Sequence, residues 1–269
     1  MKLGLSTYTY TWAVGVPGNH PETPLTAKNI IDKAKTAGIQ LVQIADNLPL
    51  ENWTQEAQCD LLEYASSKGI SIEVGSRGLT AEHTLRCLKT AEILQSPILR
   101  MVIDQKDYEP DIKTIIAVIK ELTPEFRSRN IRLAIENHDR LKAVEFENII
   151  NAVNSDWVGI CLDSVNSMGA GEGFETVSEI LLPYTINLHL KDFSIRRVSH
   201  KMGFVIEGTP AGQGMLNISQ LVESLKNYNK CNSAVLELWT PLQSTLEETI
   251  KLENEWADQS LRYLKPLIN

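Results

Sequence analysis

Ile131-Arg132-Leu133-Ala134-Ile135-Glu136-Asn137-His138, then the helical period of Val144–Val153, then Val158-Gly159-Ile160-Cys161-Leu162-Asp163, spell one strand–helix–strand unit. Both apolar runs are short and lack a polar face, as strands covered on both sides require. Each ends on a carboxylate, Glu136 in one and Asp163 in the other. Two later runs also end on a potential metal ligand, a histidine in Ile186-Asn187-Leu188-His189 and a carboxylate in Ala234-Val235-Leu236-Glu237.

The same alternation extends to both ends of the chain. Strand-like runs lie at Lys2–Leu5, Leu41–Ile44, Ile70–Val74, Ile98–Val102, Ile131–Ile135, Val158–Leu162, Thr185–Leu188 and Ser233–Leu236. Helical periods lie at Ala27–Ala37, Gln55–Ser67, Ala81–Leu94, Ile112–Arg129, Val144–Val153, Phe174–Leu181, Ile218–Tyr228 and Thr245–Leu264. Eight strands and eight helices in strict alternation predict an α/β chain folded as a single (β/α)8 TIM barrel. A doubly wound open sheet is the rival, but no Gly-x-Gly-x-x-Gly turn supports it. With 269 residues, 43% hydrophobic and no linker or low-complexity tract, residues 1–269 read as one domain.

A net charge of −8 and a pI near 5.3 disfavour a nucleic-acid partner, which normally meets a basic face. No apolar run reaches the ~20 residues of a membrane span. Met1-Lys2-Leu3-Gly4-Leu5 leads into polar and aromatic residues without the pattern of a secretory leader. Cys59, Cys87, Cys161 and Cys231 form no C-x-x-C pair. Reduced thiols in a cytoplasmic protein are therefore expected.

In a parallel barrel the C-terminal strand ends converge on the face where active sites are built. Glu136, Asp163, His189 and Glu237 would then surround one point. Three oxygen donors and one imidazole suit a divalent ion, Mn²⁺ first, with Mg²⁺, Co²⁺ or Zn²⁺ as alternatives. Taken singly, each has a plainer reading: a surface carboxylate, a helix cap, a satisfied core histidine. Glu237, between Leu236 and Leu238, would be costly in a core unless paired. The period of two turns His138 the same way as Glu136.

The set Glu136, Asp163, His189 and Glu237, with Gly4-Leu5-Ser6-Thr7 and His189-Leu190-Lys191-Asp192, resembles the xylose-isomerase-like TIM barrels. Those are metal-dependent sugar and sugar-phosphate isomerases and epimerases. The resemblance implies that the four residues bind the metal and that Glu136 and Glu237 also act as an acid/base pair. It further implies a small sugar or sugar-acid substrate, with a homodimer as a family-level expectation. Tyr8-Thr9-Tyr10-Thr11-Trp12, Gln43-Ile44-Ala45-Asp46-Asn47 and Arg77 are similar to the 3-oxo-isoapionate decarboxylase branch. The apurinic-endonuclease branch fits less well: Val74-Gly75-Ser76-Arg77 and Val102-Ile103-Asp104 lack histidines, and Asn166 stands where that branch has one.

Arg77, together with Arg196 or Arg197 in the long Lys191–Asn217 loop, is a candidate clamp for a carboxylate or phosphate. A surface or salt-bridged arginine is the competing reading. Lys191, His138 and Tyr8 complete the candidate substrate-binding set; Tyr8, Tyr10 and Trp12 are taken to alternate at the exit of the first strand. The leading functional reading is a metal-dependent isomerase or epimerase working through an enediolate. Beside it stand a metal-dependent decarboxylase or lyase of a 3-oxo sugar acid and a non-catalytic sugar-binding barrel.

Overall fold

The computed structural model describes residues 1–268. Its strands are β1 (Lys2–Ser6), β2 (Leu41–Ile44), β3 (Ser71–Arg77), β4 (Ile98–Val102), β5 (Arg132–Glu136), β6 (Val158–Asp163), β7 (Thr185–Leu190), β8 (Asp192–Arg197), β9 (Phe204–Thr209) and β10 (Ser233–Leu236). Strands β1 to β7 and β10 close into one parallel barrel, β10 pairing with both β7 and β1. The (β/α)8 architecture expected from the alternation is therefore present.

The helices are α1 (Thr11–Val14), α2 (Ala27–Thr36), α3 (Gln55–Ser67), α4 (Ala81–Ile93), α5 (Ile112–Arg129), α6 (Ala143–Val153), α7 (Phe174–Leu181), α8 (Ile218–Tyr228) and α9 (Leu246–Ile268). Their starts are chemically marked. Thr26, Thr54, Thr80 and Asp111 each accept a hydrogen bond from the backbone N–H three residues on, which satisfies a donor that a helix start leaves free. Asn130, Asn154 and Asn229 end α5, α6 and α8 in the left-handed region, where asparagine is tolerated. Ile30, Leu61, Leu88, Ile119 and Phe146 point inward from five of these helices and pack against the apolar outer face of the barrel.

Two segments depart from the sequence reading. Tyr8 and Tyr10 lie in a 3₁₀ turn, Thr7–Tyr10, and Trp12 in the short α1, so they do not alternate as strand residues would. Ser6 starts that turn by accepting from the Tyr8 amide. The long segment after β7 is no open loop: β8 and β9 form an antiparallel hairpin standing off the barrel. Asp192 anchors its base by accepting from the amides of Gly212, Gly214 and Leu216. Among the described residues no helix is long and apolar enough to cross a membrane.

Candidate active site

Glu136 ends β5, Asp163 ends β6, His189 is the fifth residue of β7, and Glu237 follows β10 directly. Register pairs Asp163 with His189, so neighbouring strands deliver their polar ends at one level. All four side chains are buried. His189 Nδ1 lies 3.3 Å from a Glu237 carboxylate oxygen, 3.4 Å from one of Glu136 and 3.8 Å from one of Asp163. The structure thus brings the four sequence-predicted residues to one point.

The imidazole is held from behind. Its Nε2 lies 2.7 Å from Gln43 Oε1. The Gln43 amide nitrogen already donates to Glu73 and Asn187, both at 3.2 Å, which fixes the amide with its oxygen toward His189. Nε2 therefore carries the proton and Nδ1 presents a lone pair to the three carboxylates. That nitrogen is buried and has no hydrogen-bond partner. An unpaired buried nitrogen facing three carboxylates is a donor set that fits a divalent cation. Burial disfavours the protonated imidazole, yet Glu237 and Glu136 outweigh it and raise its pKa: the position attracts positive charge.

Two fixed cations already sit in the cluster. Lys191 Nζ is 2.7 Å from Asp163, 2.8 Å from Glu237 and 3.4 Å from the Asn166 side-chain oxygen. Burial works against its charge, but Asp163 and Glu237 prevail and hold it protonated. Burial would likewise raise the Glu237 pKa, and His189 and Lys191 reverse that, keeping it well below the usual carboxylate range. Arg100 donates through Nε to Glu136 and through Nη1 to Asp46 at 3.0 Å. Asn166 and Ser6 complete the ring, donating to Glu136 and Glu237 at 2.8 Å each. With Arg77 3.1 Å from Asp46, four carboxylates face three fixed cations, leaving one negative charge for a further cation to meet.

Above the cluster opens a cavity of about 510 Å³, in the size range of small-molecule sites. Tyr8, Trp12, Arg77, His138, Lys191 and Trp239 are among its walls. Tyr8 donates its hydroxyl to Asp46 at 3.0 Å, and burial together with the Asp46 charge keeps that phenol protonated. The Arg77 side chain is about 41% exposed, and its Nε, though near Asp46, is not aligned for a hydrogen bond, so its fork remains available to a ligand. Arg196 and Arg197 are elsewhere. They stand on the hairpin, Arg196 paired with Glu207 and Arg197 donating to the Lys201 carbonyl, and neither lines the cavity. The hairpin carries them away from the barrel mouth.

Arg100 and Glu73 escaped the sequence reading, and Gln43 and Asp46 entered it only within a run quoted for its resemblance, with no role. The signal was present: a charged or amide side chain inside the buried runs Ile98–Val102, Leu41–Ile44 and Ser71–Arg77 must find a partner across the barrel. Gly75, the register partner of Arg100, makes room for it; a Cβ there would stand 3.3 Å from Arg100 Cδ.

The family model described as the xylose isomerase-like TIM barrel matches residues 31–267. A 3-oxo-isoapionate decarboxylase of Pectobacterium atrosepticum is 30% identical over 264 residues, covering 98% of this chain and 95% of that one. Among solved structures, D-psicose 3-epimerase from Clostridium cellulolyticum H10 superposes with a TM-score of 0.76 at 15% identity, covering all of both chains. A xylose isomerase-like TIM barrel protein from Mycobacterium smegmatis in complex with magnesium gives 0.72 at 14%, covering 100% of this chain and 98% of that one. Enzymes of more than one reaction type thus share this architecture. The chain belongs to the xylose isomerase-like TIM barrel family.

Proposed function

We propose that this protein is a metal-dependent decarboxylase of a 3-oxo sugar acid, folded as one domain. The observation that carries the reading is the engagement of both carboxylates of the expected acid/base pair with buried cations. Glu136 is bonded to Arg100, and Glu237 to Lys191. His189 and Lys191 hold the Glu237 carboxyl well below the usual carboxylate range, which makes it a weak base, whereas removal of an α-proton calls for a base tuned toward neutrality. Decarboxylation needs no base to start: the carboxyl–carbon bond breaks and its electron pair moves onto the 3-oxo oxygen.

The residues divide the work accordingly. Arg77 at the cavity wall takes the substrate carboxylate through its unengaged fork. Glu136, Asp163, His189 and Glu237 are the residues that would hold the divalent ion, which supplies Lewis-acid polarisation of the 3-oxo group. Lys191, protonated and at the floor, stabilises the enolate with its positive charge, and the carbon that has lost CO₂ takes its proton from water, whose hydroxide the released CO₂ consumes as bicarbonate. Tyr8 and Trp12 flank the entrance and limit water access. The 30% identity to a decarboxylase over nearly the whole chain supports the same reading.

Isomerisation or epimerisation is the second reading, favoured by the Glu–Asp–His–Glu set itself: once metal binding frees the glutamates from their cations, the two acting on opposite faces of the substrate would epimerise it, and one moving a proton between neighbouring carbons would isomerise it. The deciding experiment incubates the protein with Mn²⁺ in D₂O and a panel of 3-oxo sugar acids and ketoses, with products read by mass spectrometry. Loss of CO₂ with one deuteron captured at carbon is expected. Deuterium entering carbon without loss of CO₂ would overturn the decarboxylase in favour of the isomerase or epimerase.

A further inference from the structure

A second group of donor atoms lies outside the barrel mouth, between α4 and the end of β3. His83 stands in the first turn of α4 and Cys87 one turn later, a spacing that puts both on one helix face. Facing them are Glu51, in the short turn Leu50–Asn52 after β2, and Ser76, next to last in β3. His83 Nε2 is 3.0 Å from Ser76 Oγ, 3.4 Å from Cys87 Sγ and 4.0 Å from a Glu51 carboxylate oxygen. Ser76 Oγ in turn donates to that Glu51 oxygen at 3.4 Å. A ring nitrogen forms one hydrogen bond, yet three polar side chains gather around this one.

The His83–Cys87 pair, at 3.4 Å, has the spacing of a tetrahedral ion's ligands, and Glu51, 4.0 Å from His83, has a few tenths of an ångström to close. Bonds of roughly 2.0 Å to nitrogen or oxygen and 2.3 Å to sulfur place such ligands about 3.3–3.6 Å apart. Glu51, His83 and Cys87 already have their ligand atoms within 4.8 Å of one another. We propose that these three residues hold one Zn²⁺-class ion, with water or the Ser76 hydroxyl in the fourth position. The donor set is softer than the oxygen-rich cluster at the strand ends, so the two sites favour different ions.

Charge supports the assignment. A thiolate and a carboxylate neutralise a divalent ion, so the complex adds no net charge where Cys87 is fully buried. Binding displaces the thiol proton to water. Arg86 Nη2, 3.3 Å from His83 Nδ1, belongs to an exposed side chain also paired with Glu82, and it swings clear when Nδ1 takes the proton. The ion would clip α4 and the Leu50–Asn52 turn to the strand end that presents Arg77, since Ser76 immediately precedes it.

The test titrates the full chain with Co²⁺ and follows the thiolate-to-metal charge-transfer absorption in the near ultraviolet. That band is expected in the unmodified protein and in Cys161→Ser, whose thiol lies by the strand-end cluster, and is expected to vanish in Cys87→Ser and His83→Gln. Absence of the band, or its survival in Cys87→Ser, overturns the proposal. Should Cys87→Ser fail to fold, Glu51→Gln, which keeps the side-chain volume, serves instead. There the Co²⁺ affinity behind the band is expected to drop at least tenfold, and an unchanged affinity overturns the site.

Discussion

Gln43 Oε1 accepts the Nε2 proton of His189 at 2.7 Å, and this contact fixes which nitrogen of the candidate metal ligand is free. Gln43 is itself fixed by Glu73 and Asn187, and Asn187 donates on to Ser233. Glu73, fully enclosed, has its pKa raised by burial, with the hydrogen bonds from Ser233 and Gln43 opposing the rise. Gln43→Leu removes the acceptor behind His189 and the donor shared by Glu73 and Asn187. Losing a group that orients a metal ligand costs about 10–100-fold in affinity. Leaving buried polar atoms unpaired costs about 1–3 kcal/mol of stability. Calorimetric titration with Mn²⁺ and a thermal melt read the two effects, and an unchanged affinity would mean that the tautomer is set elsewhere.

Glu237→Gln tests the cluster itself. The substitution keeps volume and the Ser6 contact but deletes a charge that Lys191 and His189 both meet. Since a merely orienting group is worth about 10–100-fold, a direct candidate ligand is expected to cost roughly 100-fold or more in Mn²⁺ affinity. Turnover is expected to fall with it while the circular dichroism spectrum stays that of the parent. Full activity in this variant would remove the strand-end cluster from the chemistry.

Arg77→Ala separates anionic from neutral substrates. A hydrogen bond to a charged group is worth about 1.5–3 kcal/mol, or roughly 10- to 150-fold in binding. KM for a sugar acid is expected to rise by that factor with kcat little changed, while KM for a neutral ketose stays put. Arg77→Lys is expected to recover only part of the loss, because an ammonium cannot offer the planar fork. Equal KM values for parent and alanine variant on an acid substrate would end the case for Arg77 as its handle.

The sequence made the barrel and the strand-end quartet legible for a common reason. Buried parallel strands admit few polar residues, so a polar residue at the end of such a run stands out. The partners of those residues were not legible, because they come from strands far apart in the chain. Arg100 reaches Glu136 across 36 residues and Gln43 reaches His189 across 146. The hairpin was missed for a different reason. Asp192–Arg197 is exposed from Ile195 onward and Phe204–Thr209 is exposed or half-buried except at Gly208, and they fall between two barrel strands where the alternation predicts only a loop. Once that segment pairs with itself, Arg196 and Arg197 follow it out of the site.

Glu253 gives the fold a pH dependence separate from the catalytic cluster. Its carboxylate, reaching from α9, accepts the backbone N–H groups of Trp12 at 2.9 Å and Ala13 at 3.1 Å and so caps α1 at the cavity wall. Burial pushes its pKa up to about 7, against an ordinary value of 4.5, with the two amides and Lys33 opposing the rise. Between those values the folded chain holds a proton that the unfolded chain has released. Stability from this group is therefore full below about pH 4.5, declines as pH rises to about 7, and is level above it. The total change is on the order of 3 kcal/mol. Glu253→Gln keeps an acceptor for the amides and cannot ionise, so urea midpoints measured from about pH 5 to pH 8 are expected to decline less steeply in the variant than in the parent. Parallel profiles would show that Glu253 is ionised throughout and that its hydrogen bonds to Trp12 and Ala13 offset the full cost of burying the charge.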